Sequence, residues 1–580
     1  MAKPQLRLKI GTVKRDVDVE FSDEELSTHM AIYGGTGKGK SKLLELMLRQ
    51  IIEQKAGACI IDPHGDLVED LMAYILDHYK TTGNTAIDPG VYKRIHYLEP
   101  GSNECRFWFD PFQYDGLPGE SYDDWLKAKV ESVARTIIRK QGEAGFEGKP
   151  RLERFLTNVL YACGVRVNPA GDHLGLGDAL ALLDPSHKLH KQIYSRIEAK
   201  LPSEVQSDFR KVFTTNSPRQ QEDWIESTIN RLRSFLSPAV KSLFVAEAKE
   251  AFNFRRVIDE HGIMLVNLRR TRSFTIDQGN ALGGLFINEI LEAAQIASRT
   301  SRQPFYLFID EASRFVGQDL IDALAQFRKM KLSLCLAVQD LSSLKLRDID
   351  MTSKVISQCG IHVTFQQKNP EDLETLGQLF GYPLIDFTPL THEVDRFDGY
   401  AEIETTDYSS SVTTGTNETA SKSESEQWPI KNILDRHGNS SNGFSEGHTS
   451  TRTEGSTTKT GHLSTYRTEV QETGRLRRSV DDQFHQIKQM LRTLNKGQAV
   501  VSVDGTKPFP LDVHHVDIPF VGLDDSQRLT LVDGYKRFLG AHHPYGFKPS
   551  KQDGEMERLR RFAGGKRSEH GEERPDIFGV

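Results

Sequence analysis

Cysteine is scarce: the 580 residues hold five (Cys59, Cys105, Cys163, Cys335 and Cys359), odd in number, widely spaced and never in a C-x-x-C arrangement. That excludes a disulfide framework and a cysteine zinc site, and buried reduced thiols are expected. Long hydrophobic runs are lacking too. The apolar runs within Gly262 to Leu268 and Leu332 to Val338 fall far short of the roughly 18 residues that a membrane-spanning helix needs. The opening MAKPQLRLKIG carries charge without an apolar stretch of signal-peptide type, so a cytoplasmic protein with no membrane span is expected. Nor is there an excess of positive charge, since 74 Lys and Arg stand against 81 Asp and Glu for a formal charge of −7. Any contact with nucleic acid must come from local patches or a positively lined channel. With 37% hydrophobic and 27% charged residues, fibrous, collagen-like and globally disordered readings drop out. At roughly 100 to 200 residues per domain the length suggests about two to four domains.

Residues 1–28 alternate apolar and polar positions in Leu6 to Ile10 and Val17 to Phe21, predicting a short β-hairpin segment ahead of the main domain. From His29 an α/β rhythm follows: strand Met30 to Tyr33, a glycine-rich turn, a helix over Ser41 to Gln54, strand Ala58 to Ile61 and a helix carrying Leu67, Leu71 and Ile75. It resumes after residue 260 with strands Ile263 to Leu268, Phe305 to Ile309, Leu332 to Val338 and Ile361 to Phe365, and with helices near Gln278 to Ala297 and Leu320 to Arg328. Between these halves, Trp125 to Lys140, Leu152 to Tyr161 and Ile225 to Phe235 have helical spacing and few strand signals surround them. The expected organisation is an α/β core in two parts, 29–116 and 246–400, split by a large all-α insertion domain over 117–245. Residues 401–470 hold 26 Ser and Thr among 70 and few aliphatics, so 401–478 is expected to be a flexible, disordered insert. A terminal helix (Phe484 to Leu494) and strands (Ala499 to Val503, Pro510 to Val513) over 479–520 rejoin the core or pack beside it. Residues 521–580 read as a C-terminal helix and charged tail.

Gly34, Gly35, Thr36, Gly37, Lys38, Gly39, Lys40 and Ser41 satisfy G-x-x-x-x-G-K-[ST], after an apolar strand and at the start of a helix. Glycines let the backbone curl so that successive N–H groups face a phosphate. Lys40 then reaches the β and γ phosphates of ATP and Ser41 ligates Mg²⁺. The strand Phe305 to Ile309 ends in Asp310 and Glu311, a metal-side carboxylate followed by a candidate base for the attacking water. Gln339 follows the next apolar strand, placed two strand ends from the phosphate loop, where an amide senses the γ-phosphate, orients water or merely caps its loop. Asp62 ends another strand on the same edge and bonds either the water shell or the phosphate-loop backbone; His64 is either a turn residue or a participant. Among arginines that complete a neighbour's site, Arg328 in FRKMK ranks first. Arg269, Arg270 and Arg272 are alternatives that instead line a pore, with Phe274 beside them to meet nucleic acid.

The stretches HMAIYGGTGKGKS, IIDPHGDL, FNFRRVIDEHGIMLVNLRR, GNALGGLFINEI, FYLFIDEASRF, QFRKMKLSLCLAVQDL and GIHVTFQQKNPEDLETL occur in this order over most of residues 29 to 380. Together they resemble the HerA/FtsK superfamily of hexameric motor ATPases, especially the TraG/TraD-like coupling proteins of conjugative type IV secretion. KGQAVVSVDGTKPFPLDV is similar to the late strands of the same domain. The resemblance implies a RecA-like P-loop NTPase core, assembled as a homo-oligomeric ring of six, that drives single- or double-stranded DNA through a central channel with ATP and Mg²⁺ between subunits. It implies nucleotide-site roles for Lys40, Ser41, Asp310, Glu311 and Gln339, a trans-acting role for Arg328, and substrate selection by the helical insertion. Membrane-anchored coupling proteins carry N-terminal transmembrane helices, and HerA proteins a fuller β-barrel; here about 28 residues stand in that place. Three functions stay open: a DNA translocase of conjugation or mobile-element type with a relaxase or secretion-channel partner, a HerA-like DNA-processing or defence ATPase with a separate nuclease, and a nucleotide-switched protein-recruitment module.

Overall fold

Alternation within the buried strands sets the architecture. In Met30–Tyr33, Met30 and Ile32 pack into one layer while Ala31 and Tyr33 pack into the other; in Phe305–Ile309, Tyr306 and Phe308 part from Phe305, Leu307 and Ile309 in the same way. Strands that bury both faces read as continuous apolar runs and sit between helical layers. The computed structural model describes residues 6–13, 17–79, 91, 93–102, 107–114, 119–139, 150–215, 218–244, 251–300, 304–346, 349–381, 480–542, 559 and 562.

The strands are β1 (Arg7–Val13), β2 (Val17–Ser22), β3 (Met30–Tyr33), β4 (Gly57–Asp62), β5 (Ile95–Leu98), β6 (Ile263–Asn267), β7 (Phe305–Ile309), β8 (Leu332–Val338), β9 (Lys345–Leu346), β10 (Ile349–Asp350), β11 (Ile361–Thr364), β12 (Gln498–Val503) and β13 (Phe509–Val513). All but the small β9–β10 pair join one eleven-stranded sheet in the order β2-β1-β13-β12-β11-β3-β8-β7-β4-β6-β5. From β11 to β5 neighbouring strands are parallel, while β12, β13, β1 and β2 extend the β11 edge as an antiparallel wing. The helices Lys40–Glu53, Asp66–Tyr79 and Asp525–His542 bury Leu43, Leu71 and Leu539 against one face. The helices Ile276–Thr300, Gln318–Gln326, Pro370–Gly381 and Val480–Thr493 cover the other, through Leu282, Leu324, Leu376 and Leu491.

The N-terminal hairpin does not stand ahead of the domain, as its position in the sequence suggested, but belongs to the sheet: β1 pairs with β13, Gly11 facing Val513. A Cβ at Gly11 would stand 2.3 Å from the Asp512 carbonyl oxygen. Gly11→Val is therefore expected to lower stability by about 1–3 kcal/mol, the usual result of overpacking. A urea midpoint equal to that of the unaltered protein would refute this.

Helices between Tyr122 and Lys241 form most of the chain between β5 and β6. Where the chain leaves and re-enters the α/β part, it pairs with itself: Phe109 N–H donates to Leu243 O (2.8 Å) and Phe252 N–H to Trp108 O (2.6 Å). Phe109 also packs against Phe244, Phe254 and Phe286, so aromatic contacts seal this stem. Cys59, Cys163, Cys335 and Cys359 are buried free thiols. Cys105, the Ser/Thr-rich insert 401–478 and the charged tail from residue 563 lie outside the described residues.

Candidate nucleotide site

β3 runs into the loop 34–39, and the helix Lys40–Glu53 follows directly. Gly34 N–H donates to Val338 O (3.2 Å) and Gly35 N–H to Gln366 O (3.3 Å), so the loop hangs from the ends of β8 and β11. Gly39 has φ 127° with the Phe365 ring beneath it; a Cβ there would lie 2.9 Å from that ring. Only glycine suits such a position. Lys40 is buried, and its Nζ donates to the Gly34 and Gly35 carbonyls at 2.5 and 3.2 Å. Burial lowers the affinity of its ammonium for the proton, opposed by the charges of Asp310 and Glu311. From the far side of the sheet wing, Gly497 N–H donates to Lys38 O (3.2 Å), so the turn before β12 braces the loop.

The sheet order brings the acidic residues to the same edge. β8 lies between β3 and β7, and Asp310 follows β7. Ser41 Oγ donates to Asp310 Oδ2 at 3.2 Å. Burial, then the neighbouring Asp62 charge, raises the Asp310 carboxyl above its ordinary range, while Lys40 and the Ser41 hydroxyl pull it back. A cation beside Ser41 and Asp310 would relieve that repulsion, so the pair fits Mg²⁺, which takes few protein ligands and completes its shell with phosphate oxygens and water. Among the described residues no group of three or more His, Cys, Asp or Glu is arranged to hold a metal ion by itself.

Gln339 leaves β8 one strand from the loop, not two, and its Oε1 accepts from Thr36 Oγ1 at 3.3 Å. Asp62 turns away from the phosphate loop: its fully buried carboxylate accepts from the N–H groups of His64 (2.8 Å), Leu67 (2.9 Å) and Val68 (3.2 Å). Glu311 adopts the left-handed conformation (φ 52°, ψ 54°), and its Oε2 meets His64 Nε2 at 2.8 Å and Arg314 Nε at 2.5 Å. Arg314 was not singled out from the sequence; its signal was the three-residue spacing from Glu311 within one turn. Phe365 and Gln366, the floor of the loop, carried no signal beyond ending a strand.

Arg328 is not part of this site. It follows the helix Gln318–Gln326 and precedes β8, at the opposite edge of the sheet beside His29 and His362, where it lines a cavity of about 400 Å³. Its side chain is exposed, and Asp504 lines the same cavity. Burial, and then the Arg328 charge, push the His29 imidazole down to about 4. Arg269 is spoken for, paired with Asp66 and Glu69 at 2.8 Å each. Arg270 and Arg272 are exposed at the phosphate-loop edge, but Phe274 is fully buried and does not offer its ring to a nucleic-acid base.

Residues 8–114 match the family described as "Helicase HerA, central domain", and residues 304–434 match "TraM recognition site of TraD and TraG". The chain thus resembles HerA-type proteins in its first part and TraG/TraD-type proteins in a later one. An uncharacterized protein of Aquifex aeolicus (strain VF5) is 32% identical over 75 residues, which is 12% of this chain and 28% of that protein. The match thus spans under a third of that relative. Among solved structures the unbound conjugative coupling protein TrwB aligns at 16% identity and TM-score 0.46, over 64% of this chain and 75% of that one. TrwB in complex with ADP and Mg²⁺ aligns at 14% and 0.45, over 64% and 78%. VirB4 of Thermoanaerobacter pseudethanolicus aligns at 14% and 0.41, over 64% and 87%. Among the described residues, no helix is long and apolar enough to cross a membrane.

Proposed function

We propose that the chain hydrolyses ATP with Mg²⁺ at the loop 34–41 and uses the cycle to move DNA as a ring-forming motor of coupling-protein type. The observation that supports this best is the convergence of Lys40, the Ser41–Asp310 pair and Gln339 on one strand-end edge, with Glu311 next to Asp310. Phosphates bind at the N-terminus of the helix Lys40–Glu53, and Lys40 exchanges two loop carbonyls for phosphate oxygens. Mg²⁺, when bound, supplies charge stabilisation at the β and γ oxygens. Glu311 takes a proton from the attacking water, and Gln339 orients that water or the γ-phosphate.

Arg328 supports the ring, because a cation on the opposite sheet edge serves a nucleotide only in a neighbouring copy. Arg328→Ala is expected to slow turnover at least about tenfold, a cautious figure for a trans arginine, with ATP-analogue affinity unchanged. Normal turnover would move the role to Arg270 or Arg272.

The deciding experiment is steady-state ATP hydrolysis with Mg²⁺, with and without single- and double-stranded DNA. Several-fold stimulation by DNA supports the motor; hydrolysis indifferent to DNA points to a protein-directed ATPase. The HerA match over residues 8–114 favours a second reading, the same motor working on DNA with a separate nuclease. A nuclease that co-purifies and acts only with ATP hydrolysis distinguishes it from the relaxase-linked role.

A further inference from the structure

Gln339, whose amide points to the phosphate loop through Thr36, stands between two anchored stretches of chain. On one side Val338 O accepts from Gly34 N–H (3.2 Å), which ties the end of β8 to that loop. On the other, Asp340 Oδ1 accepts from Ser343 N–H (2.8 Å) and Ser342 Oγ (2.7 Å), closing a tight turn. Leu341, within that turn, is buried and held through both of its backbone polar groups. Its N–H donates to Asp372 Oδ1 (3.1 Å), and its carbonyl accepts from Thr352 Oγ1 (3.2 Å). Thr352 opens the helix Thr352–Gln358, and Asp372 lies in the first turn of the helix Pro370–Gly381, so two helices grip the turn that follows Gln339.

Asp372 is buried, and the bond from Leu341 N–H is the hydrogen bond its side chain makes among the described residues. It does not cap its own helix, a task that falls to Asn369, whose Oδ1 accepts from Glu371 N–H at 3.1 Å. Burial raises the Asp372 carboxyl above its ordinary range, the Leu341 N–H opposes that rise, and the Asp340 and Glu371 charges add to it. Burying a carboxylate is costly, and here its partner is the backbone two residues beyond Gln339.

We propose that Asp372, with Thr352, is a positioning residue for Gln339, fixing the turn that aims its amide at the γ-phosphate and the attacking water. Asp372 then sets the rate of the chemical step without touching the nucleotide; the inference rests on the reading of Gln339 as part of an ATPase site. A misplacement of about 1 Å can cost about 10²-fold in rate, and loss of the Leu341 anchor is expected to cost part of that.

The test is single-turnover ATP hydrolysis with Mg²⁺, with and without DNA, by the full chain and by Gln339→Ala, Asp372→Ala, their double variant and Asp372→Asn. Affinity for a fluorescent ATP analogue and melting temperature are measured alongside. Gln339→Ala is expected to slow hydrolysis by more than about tenfold and Asp372→Ala by roughly three- to tenfold, with analogue affinity little changed in either. Asp372→Asn, whose amide oxygen still accepts from Leu341 N–H, keeps most of the rate. The double variant should be no slower than Gln339→Ala alone, because a residue that acts through Gln339 has nothing left to position. Thr352→Val is the second variant should Asp372→Ala fold poorly, and it should slow hydrolysis only while Gln339 is present. An unaltered rate in Asp372→Ala, or losses that multiply in the double variant, overturns the positioning role and leaves the ATPase standing. Normal hydrolysis by Gln339→Ala removes Gln339 from the chemistry and this inference with it. ATP bound but not hydrolysed by the unaltered chain under any condition overturns both this inference and the ATPase reading.

Discussion

Glu311→Gln is expected to cut ATP turnover by about 10²- to 10⁴-fold, the range for removing a positioned general base, while the protein still binds ATP. The substitution keeps the size and planarity of the side chain and removes only the capacity to take a proton. Binding depends on other groups: the loop backbone, Lys40 and the Ser41–Asp310 pair all lie on the β3 side of β7. Asp310→Asn should therefore behave differently, because it removes charge from the carboxylate that Ser41 addresses and weakens nucleotide binding in the presence of Mg²⁺. Analogue titration and single-turnover hydrolysis on both variants separate these effects. A Glu311→Gln protein that turns over at the normal rate would remove Glu311 from the chemistry and leave its contacts with His64 and Arg314 a structural matter.

The parallel strands were legible because burial on both faces leaves a continuous apolar run with an abrupt polar end. Met30–Tyr33, Phe305–Ile309 and Leu332–Val338 were read with the bounds the structure gives them, and Asp310 and Glu311 stand where the apolar run stops. Lateral relations were not legible, since no local pattern names a strand's neighbour. The hairpin of β1 and β2 reaches its place by pairing with β13, some 500 residues away in the chain. Arg328 lies 18 residues beyond Asp310, a spacing that leaves open which sheet edge it occupies; the helix Gln318–Gln326 carries the chain back across the sheet to the other edge. Phe274 beside three arginines read as a stacking surface, yet its ring is fully buried in the core, where apolar area is removed from water. Ile95–Leu98 escaped notice because His96 breaks its short apolar run.

Lys129 was equally invisible, a lysine in an amphipathic helix that reads as solvent-facing. In the structure it is buried, with Glu289 at 2.5 Å and Glu292 at 2.7 Å, and it fastens the helix Tyr122–Arg139 to the helix Ile276–Thr300. Lys129→Met is expected to destabilise the protein by about 3 kcal/mol, because Glu289 and Glu292 lose the ammonium that both contact and are left buried or half-buried without that partner. Glu292 keeps 35% of its side chain in solvent, which holds the effect at the low end for a broken buried pair. One ammonium cannot neutralise two carboxylates, and burial pushes the Glu289 carboxyl up from 4.5 to about 8. The folded state then holds a proton that the unfolded chain releases, so this contribution to stability is complete below about pH 4.5 and is lost as the pH rises through about 8. Glu289→Gln removes the titrating group and keeps an acceptor for Lys129, which should flatten that decline. Melting temperatures of the three proteins from pH 5 to 9 provide the check, and parallel profiles for Glu289→Gln and the unaltered chain would show that Glu289 is already ionised in the fold.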